Sequence, residues 1–330
     1  MRISLLLPAL FAAMLAAGAA LMAHLPSPLA ALPPRTGPAL QAAANWGYQL
    51  QNVDARLIPV EIDVLVVDHS RDGTSSRALT PADVSALQLR SDGRSRVVLS
   101  YLSIGEAENY RSYWNREWTR SPPAWLGAEN AAWRGNFAVQ YWQPAWQRLI
   151  YDPAMWSGGL GDRLWRLFGA PEKPYLDRIL EAGFDGVYLD RVDAFEKAAG
   201  TRPSAQADMI AFVRGISGYA KTRRPGFLIM PQNGEELLAN DDYRKAIDGM
   251  AKEDLFYGDS GDGVANDPLE TRKEIALLNS AKADGLPVFV IEYLTNPSLQ
   301  RDVAADLRGL GFLPLFAERP LTLPPVLPPR

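Results

Sequence analysis

The sequence predicts an α/β protein, a closed barrel of eight parallel strand–helix units. Three features of its 330 residues point there. Short apolar runs alternate with amphipathic stretches through residues 46–317, the pattern of repeated βα units. Helix-start signals fall between the runs, and acidic residues close six of them. Eight such repeats close into a (β/α)8 TIM barrel, a fold whose enzymes carry their chemistry at the carboxyl ends of the strands.

Taken in order, the expected strands are Trp46 to Leu50, Ile62 to Asp68, Val97 to Ser103, Gly186 to Asp190, Phe227 to Gln232, Asp248 to Glu253, Pro287 to Glu292 and Phe312 to Ala317. Helices should start at Thr80-Pro81, Asp267-Pro268 and Asn296-Pro297, where a capping side chain precedes a proline whose missing N–H is not needed in the first turn. Gly285 and Gly311 should close helices. A ninth apolar run, Phe137 to Trp142, could also be a strand. Because nine repeats do not close the barrel, it is assigned to a Trp-rich insertion between strands 3 and 4.

The chain ends differ in composition from the barrel. Residues 1–30 read as a signal peptide: Arg2 precedes an apolar Leu- and Ala-rich run from Ile3 to Ala23, with cleavage expected after Ala20, Ala23 or Ala30. The product would then be periplasmic or secreted. The alternative is an uncleaved N-terminal membrane anchor, since the run is about as long as a span requires. Residues 31–44 read as a Pro/Ala-rich linker, 45–318 as the catalytic barrel and 319–330 as a Pro-rich tail.

Composition narrows the chemistry. There is no cysteine, and the two histidines are His24 and His69. Disulfides, thiol nucleophiles and Cys-ligated metals are therefore excluded, and His-clustered metal sites are disfavoured, so no metal and no cofactor is expected. A net charge of -4 offers no basic field for nucleic acid, whereas an acid-lined cleft suits a cationic ligand. Acids stand at or just past six strand ends: Asp68, Glu106, Asp190, Glu235, Glu253 and Glu292. Any one of them could be a turn or cap residue. Crowded together, carboxylates raise one another's pKa, so that one stays protonated while another ionises, and a pair of that kind cleaves glycosidic bonds without thiol or imidazole.

Aromatic residues fit a sugar polymer. Eight of nine tryptophans lie between Trp114 and Trp165, and two or three of these are expected to face ligand while the rest pack the insertion. Tyr48, Tyr101, Tyr110, Tyr257 and Tyr293 lie at or beyond strand ends, placed to donate hydrogen bonds to hydroxyls.

Five segments carry a resemblance to a known family: Trp46-Gly47-Tyr48-Gln49-Leu50, Tyr101 to Glu108 (YLSIGEAE), Phe184 to Asp190 (FDGVYLD), Gln232-Asn233-Gly234-Glu235 and Lys252 to Tyr257 (KEDLFY). Together they resemble the endo-α-1,4-polygalactosaminidases, glycoside hydrolase family 114, from Trp46 to Phe316. The resemblance implies a (β/α)8 barrel that cuts α-1,4-linked galactosamine polymers internally, with Asp190 after strand 4 and Glu253 after strand 6 as the catalytic pair. Glu235 is the reserve candidate for the acid. Asp190 would attack the anomeric carbon while Glu253 protonates the leaving oxygen. Carboxyl groups about 5–5.5 Å apart would retain the anomeric configuration, and a gap of about 6.5–9.5 Å would invert it. Substrate contacts are expected from Tyr48, Asp68, Tyr101, Glu106, Asp193, Asn233, Tyr257, Glu292 and Tyr293. Asp193 could instead pair with Arg191 or Lys197, and Glu106 could cap a helix.

Other classes fit less well. His69 is followed by a polar turn and no Gly-x-Ser-x-Gly elbow occurs, which disfavours a Ser-His-Asp hydrolase. The loop Gly258-Asp259-Ser260-Gly261-Asp262-Gly263 lacks the alternating ligands of a calcium loop. A non-catalytic carbohydrate-binding barrel is the remaining alternative, and acids at both 190 and 253 speak against it. The expected partner is a cationic polysaccharide bound by a monomer.

Overall fold

The computed structural model describes residues 40–152 and 173–329. The expected signal peptide, most of the linker, Trp156 and Trp165 lie outside the described residues. Among the described residues no helix is long and apolar enough to cross a membrane.

Eight parallel strands form the wall: β1 (Trp46–Gln49), β2 (Val64–Val67), β3 (Val97–Ser103), β7 (Gly186–Asp190), β8 (Leu228–Pro231), β9 (Met250–Glu253), β10 (Val288–Glu292) and β11 (Leu313–Phe316). They hydrogen-bond in the order β1-β2-β3-β7-β8 and β9-β10-β11. The two sheets join where Gln232 bridges Ala251 in parallel and Asp248 N donates to Ile229 O at 2.8 Å. At the other seam Trp46 Nε1 donates to Leu313 O at 3.0 Å. Neighbours in sequence are thus neighbours in space, as short right-handed βα connections require.

Every strand is buried on both faces, so it reads as a continuous apolar run. Alternate residues separate into two clusters. Trp46, Tyr48, Val66, Tyr101, Tyr188 and Ile291 are among those that fill the barrel interior. Leu65, Val67, Val98, Leu102, Val187 and Val290 pack outward beneath the helices. That period of two decides which polar residues at the strand ends face the mouth.

The helices are α1 (Pro81–Gln88), α2 (Pro144–Ile150), α3 (Tyr175–Ala182), α4 (Ala194–Ala199), α5 (Ala205–Arg223), α6 (Asp241–Arg244), α7 (Pro268–Ala283) and α8 (Pro297–Leu310). The capping expectations are met. Thr80 and Asp83 form a reciprocal capping box at α1, Asp267 Oδ1 accepts from Leu269 N and Glu270 N, and Asn296 Oδ1 accepts from Ser298 N and Leu299 N. Gly311, with φ 75°, ends α8, and Gly285, with φ 79°, turns the chain after α7.

The segment between β3 and β7 leaves the barrel. The short strands β4 (Glu106–Glu108), β5 (Leu126–Glu129) and β6 (Asn136–Val139) form an antiparallel sheet with β6 in the middle. The ninth apolar run therefore contributes β6 and stays out of the barrel wall. Trp125 and Trp146 are buried, Trp114, Trp118 and Trp142 are half-buried against the core, and Trp133 is exposed. Most of the described tryptophans of this segment thus pack it in place, Trp146 also donating to Ile104 O at 2.9 Å.

Packing reaches past the expected limits of 45 and 318. Leu40 is buried in the inner cluster. The Pro-rich residues 320–329 run as a strap along the barrel: Leu50 N and Gln49 Nε2 donate to Leu321 O and Thr322 O, and Arg308 Nη1 donates to Pro329 O at 2.5 Å. No α-helix joins β1 to β2, and the strap covers β1 instead. Gly47 permits this, because a Cβ there would fall 2.6 Å from Pro325 Cγ.

Candidate active site

Asp190 and Glu253 close β7 and β9 in phase with the inward residues Tyr188 and Ala251. The outward residue Lys252 separates Glu253 from Ala251, just as Leu189 separates Asp190 from Tyr188, so both carboxylates stand at the mouth. Asp190 Oδ2 accepts from Tyr101 Oη at 2.6 Å, and Oδ1 accepts from Arg191 N at 2.7 Å. Burial raises the Asp190 pKa, and the Tyr101 hydroxyl opposes it by favouring the ionised form. Glu253 Oε2 accepts from Gln232 Nε2 at 2.7 Å, while Tyr293 Oη donates to Oε1. Burial is also the main cause that pushes Glu253 up to about 7, against the Tyr293 hydrogen bond and with help from the Asp190 charge.

Three consecutive barrel strands end in the same backbone device. Arg191, Asn233 and Asp254 take φ values of 60°, 60° and 57°, and each directly follows an inward polar residue, Asp190, Gln232 or Glu253. Left-handed non-glycine residues cost of order 1–3 kcal/mol each and persist where surrounding contacts hold them. Here the contacts are visible: Asn233 N donates to Ala251 O, and Asn233 Oδ1 accepts from Glu253 N, both at 3.0 Å. Asn233 thus fixes the backbone of Glu253.

The remaining expected residues divide into two groups. Tyr48 is buried in the barrel interior, its ring 4.9 Å from that of Tyr188. Burial, then Tyr188 and Asp190, push its hydroxyl pKa well up, keeping it a donor. Asp68 is paired with Arg111 at 2.7 Å. Glu106 accepts from Asn130 Nδ2 at 2.9 Å and lies 3.5 Å from Arg191, which is also 3.4 Å from Asp193. Those three acids therefore arrive with partners. Glu292 is not brought to the pair: it is in the outward phase, and its carboxylate accepts from Phe256 N at 2.8 Å and Tyr257 N at 3.2 Å. Tyr257 packs half-buried against the outer core. The reserve acid Glu235 pairs with Lys252 Nζ at 2.9 Å on the same outer side.

A carboxylate pair at the mouth of a (β/α)8 barrel, with the two acids in separate hydrogen-bond settings, is the arrangement on which glycosidases act. The model of glycoside-hydrolase family GH114 matches residues 27–322. The chain belongs to this family. It is a glycoside hydrolase.

Relatives of this GH114 chain include an uncharacterized protein of Deinococcus radiodurans, 35% identical over 297 residues, covering 88% of this chain and 85% of that one. An uncharacterized protein of Methanocaldococcus jannaschii is 36% identical over 83% of this chain and 75% of its own length. Among solved structures, the glycoside hydrolase domain of PelA from Pseudomonas aeruginosa superposes with a TM-score of 0.61 at 18% identity, covering 86% of this chain and 98% of that domain. Aspergillus fumigatus Ega3, solved with galactosamine, gives 0.58 at 19% identity and covers 90% and 98%. These structures share the fold.

Gln232, Arg111 and Ser103, not among the residues expected at the site, pack beside residues that were. Gln232 holds Glu253 directly, and its position at a strand end beside Asn233 was the available signal. Arg111 is buried among Asp68, Glu108 and Tyr175, with Tyr175 Oη at 3.0 Å. Ser103 pairs in register with Asp190. His69 is buried against Tyr175, and burial pushes its imidazole down to about 4, so it stays neutral.

Proposed function

We propose that the protein is an endo-acting hydrolase of α-1,4-linked galactosamine or N-acetylgalactosamine polymers, with Asp190 as nucleophile and Glu253 as acid and base. The observation that carries this reading is the pair of inward carboxylates at the mouth, each held by its own tyrosine hydroxyl and N–H donor. Burial raises both; Tyr101 and the Arg191 N–H favour the anion of Asp190 against it, and Glu253 is pushed up to about 7, able to hold a proton at neutral pH and give it up.

The steps follow from those states. Asp190 attacks the anomeric carbon as the bond to the leaving oxygen breaks, and Glu253 transfers its proton to that oxygen. Glu253, now ionised, takes a proton from water as the water displaces Asp190 from the glycosyl–enzyme intermediate. The configuration is retained. Glu253 is preferred to Glu235 because Lys252 occupies the Glu235 carboxylate on the outer side.

The substrate class rests on charge and on the galactosamine bound in the Ega3 structure. An unacetylated amino-sugar polymer is cationic, and this chain presents acids at its mouth with a net charge of -4. Export of a monomer, after removal of residues 1–30, would put it where such polymers occur. The test is to incubate the purified protein with a partly de-N-acetylated α-1,4-galactosamine polymer and measure new reducing ends. Release that disappears in Asp190→Asn and Glu253→Gln supports the reading. Tight binding without release would make the protein a carbohydrate-binding barrel.

A further inference from the structure

Arg319 lies just past β11, in the segment whose sequence reads as a tail, and it touches two neighbours of Glu253, Tyr293 and Asp254. Its guanidinium carbon is 4.4 Å from the centroid of the Tyr293 ring. Nη2 donates to Asp254 Oδ2 at 2.9 Å, and Nε donates to Asp262 in the loop 258–263. Tyr293 in turn holds Glu253 Oε1, and Asp254 is the left-handed residue that ends the strand after Glu253. The loop is folded back onto the same point: Gly258 has φ 133°, and a Cβ there would fall 2.3 Å from Asp254 Cγ.

We propose that Arg319 is a positioning residue for Glu253, pinning the Tyr293 ring and the Asp254 carboxylate so that the Tyr293 hydroxyl stays on Glu253 Oε1. The proposal rests on the reading of Glu253 as the proton-transferring group. Only a flat guanidinium meets both demands, since it stacks on a ring while its edge engages two carboxylates. A lysine supplies the charge without the fork.

The charge has its own effect. Glu253 is faced by Tyr188 and Asp190 from β7, Tyr48 from β1, Tyr293 just past β10 and the adjacent Asp254, with Gln232 as a neutral donor. Against burial, Asp190 and Asp254, the Arg319 cation favours the ionised form of Glu253. Its removal should therefore raise the Glu253 pKa twice over, by loss of the charge and by release of Tyr293.

The experiment compares wild type with Arg319→Ala, Arg319→Lys and Asp262→Asn in two readouts. The first is pH-dependent kcat and KM on the partly de-N-acetylated polymer. The second needs no turnover: a carboxyl-carbon NMR titration of Glu253, its signal assigned by loss in Glu253→Gln. Arg319→Ala should lower kcat about tenfold or more with KM little changed, and the Glu253 titration should move to higher pH. Arg319→Lys, which keeps the charge without the fork, should restore only part of the titration midpoint and part of kcat, and Asp262→Asn, which loosens one of the two carboxylates holding the guanidinium, should move both less than Arg319→Ala does. An unmoved Glu253 midpoint in folded Arg319→Ala overturns the proposal, even if activity falls. If the midpoint moves but Glu253→Gln still turns over substrate, the contact is upheld and the catalytic reading of Glu253 fails instead.

Discussion

Lys252 and Glu253 are neighbours in the chain and lie on opposite sides of the barrel wall. Lys252 Nζ reaches outward to Glu235 at 2.9 Å and Glu274 at 3.1 Å, whereas Glu253 faces Gln232 and Tyr293 at the mouth. The pleat of β9 separates them, and a shift of one residue would put Lys252 at the mouth and Glu253 on the outer side.

That separation predicts distinct fates for the acids. Glu253→Gln and Asp190→Asn should each lower reducing-end release by about a thousandfold or more while leaving the melting temperature near wild type. Glu235→Gln should do the reverse. It strips Lys252 of one buried partner, so it should lower the melting temperature and leave most of the turnover. Loss of turnover in Glu235→Gln at unchanged Tm would exchange the roles of the two glutamates.

Tyr101→Phe removes the hydroxyl that stabilises ionised Asp190. A hydrogen bond to a charged group contributes about 1.5–3 kcal/mol, so kcat/KM should fall about ten- to a hundredfold. The Asp190 pKa should rise, moving the acid limb of the pH–rate profile to higher pH. An unchanged acid limb would remove Asp190 from that titration.

With Glu253 as the proton donor proposed above, wild-type activity should fall as pH rises through about 7, where Glu253 loses that proton. Stability carries a related signature. Burial pushes Glu292 up to about 8, well above the ordinary value of 4.5. A carboxyl raised in the folded state favours folding most at pH below its unfolded pKa, and that contribution is lost as pH rises through the folded one. Between pH about 4.5 and 8, wild type should therefore lose stability relative to Glu292→Gln, measured by urea denaturation across that range. Parallel curves for the two proteins would contradict the buried neutral state.

Gly47→Ala should destabilise by about 1–3 kcal/mol, because the added methyl meets Pro325 in the strap. Deleting residues 320–330 should destabilise as well, by uncovering β1. The two changes should combine to little more than the deletion alone, since the clash leaves with the strap. Full additivity in chemical denaturation would place the Gly47 effect elsewhere.

Much of this protein was legible in one dimension. Apolar runs of strand length placed all eight strands, because a strand buried on both faces must be apolar throughout. Thr80, Asp267 and Asn296 marked helix starts because capping is local chemistry. What the sequence by itself could not assign was which acid faces which partner. Glu292 and Glu235 look no different from Glu253 as letters, yet two backbone N–H groups hold the first and Lys252 the second. Nor does any local pattern tie Arg319 to Asp254 across 65 residues, or lay a Pro-rich segment over Gly47. The strap over Gly47 depends on closure of the barrel, which brings its last strand beside its first, and the Arg319 contact depends on the order β9-β10-β11. Only the tertiary structure decided them, because hydrogen bonds and burial act between neighbours in space.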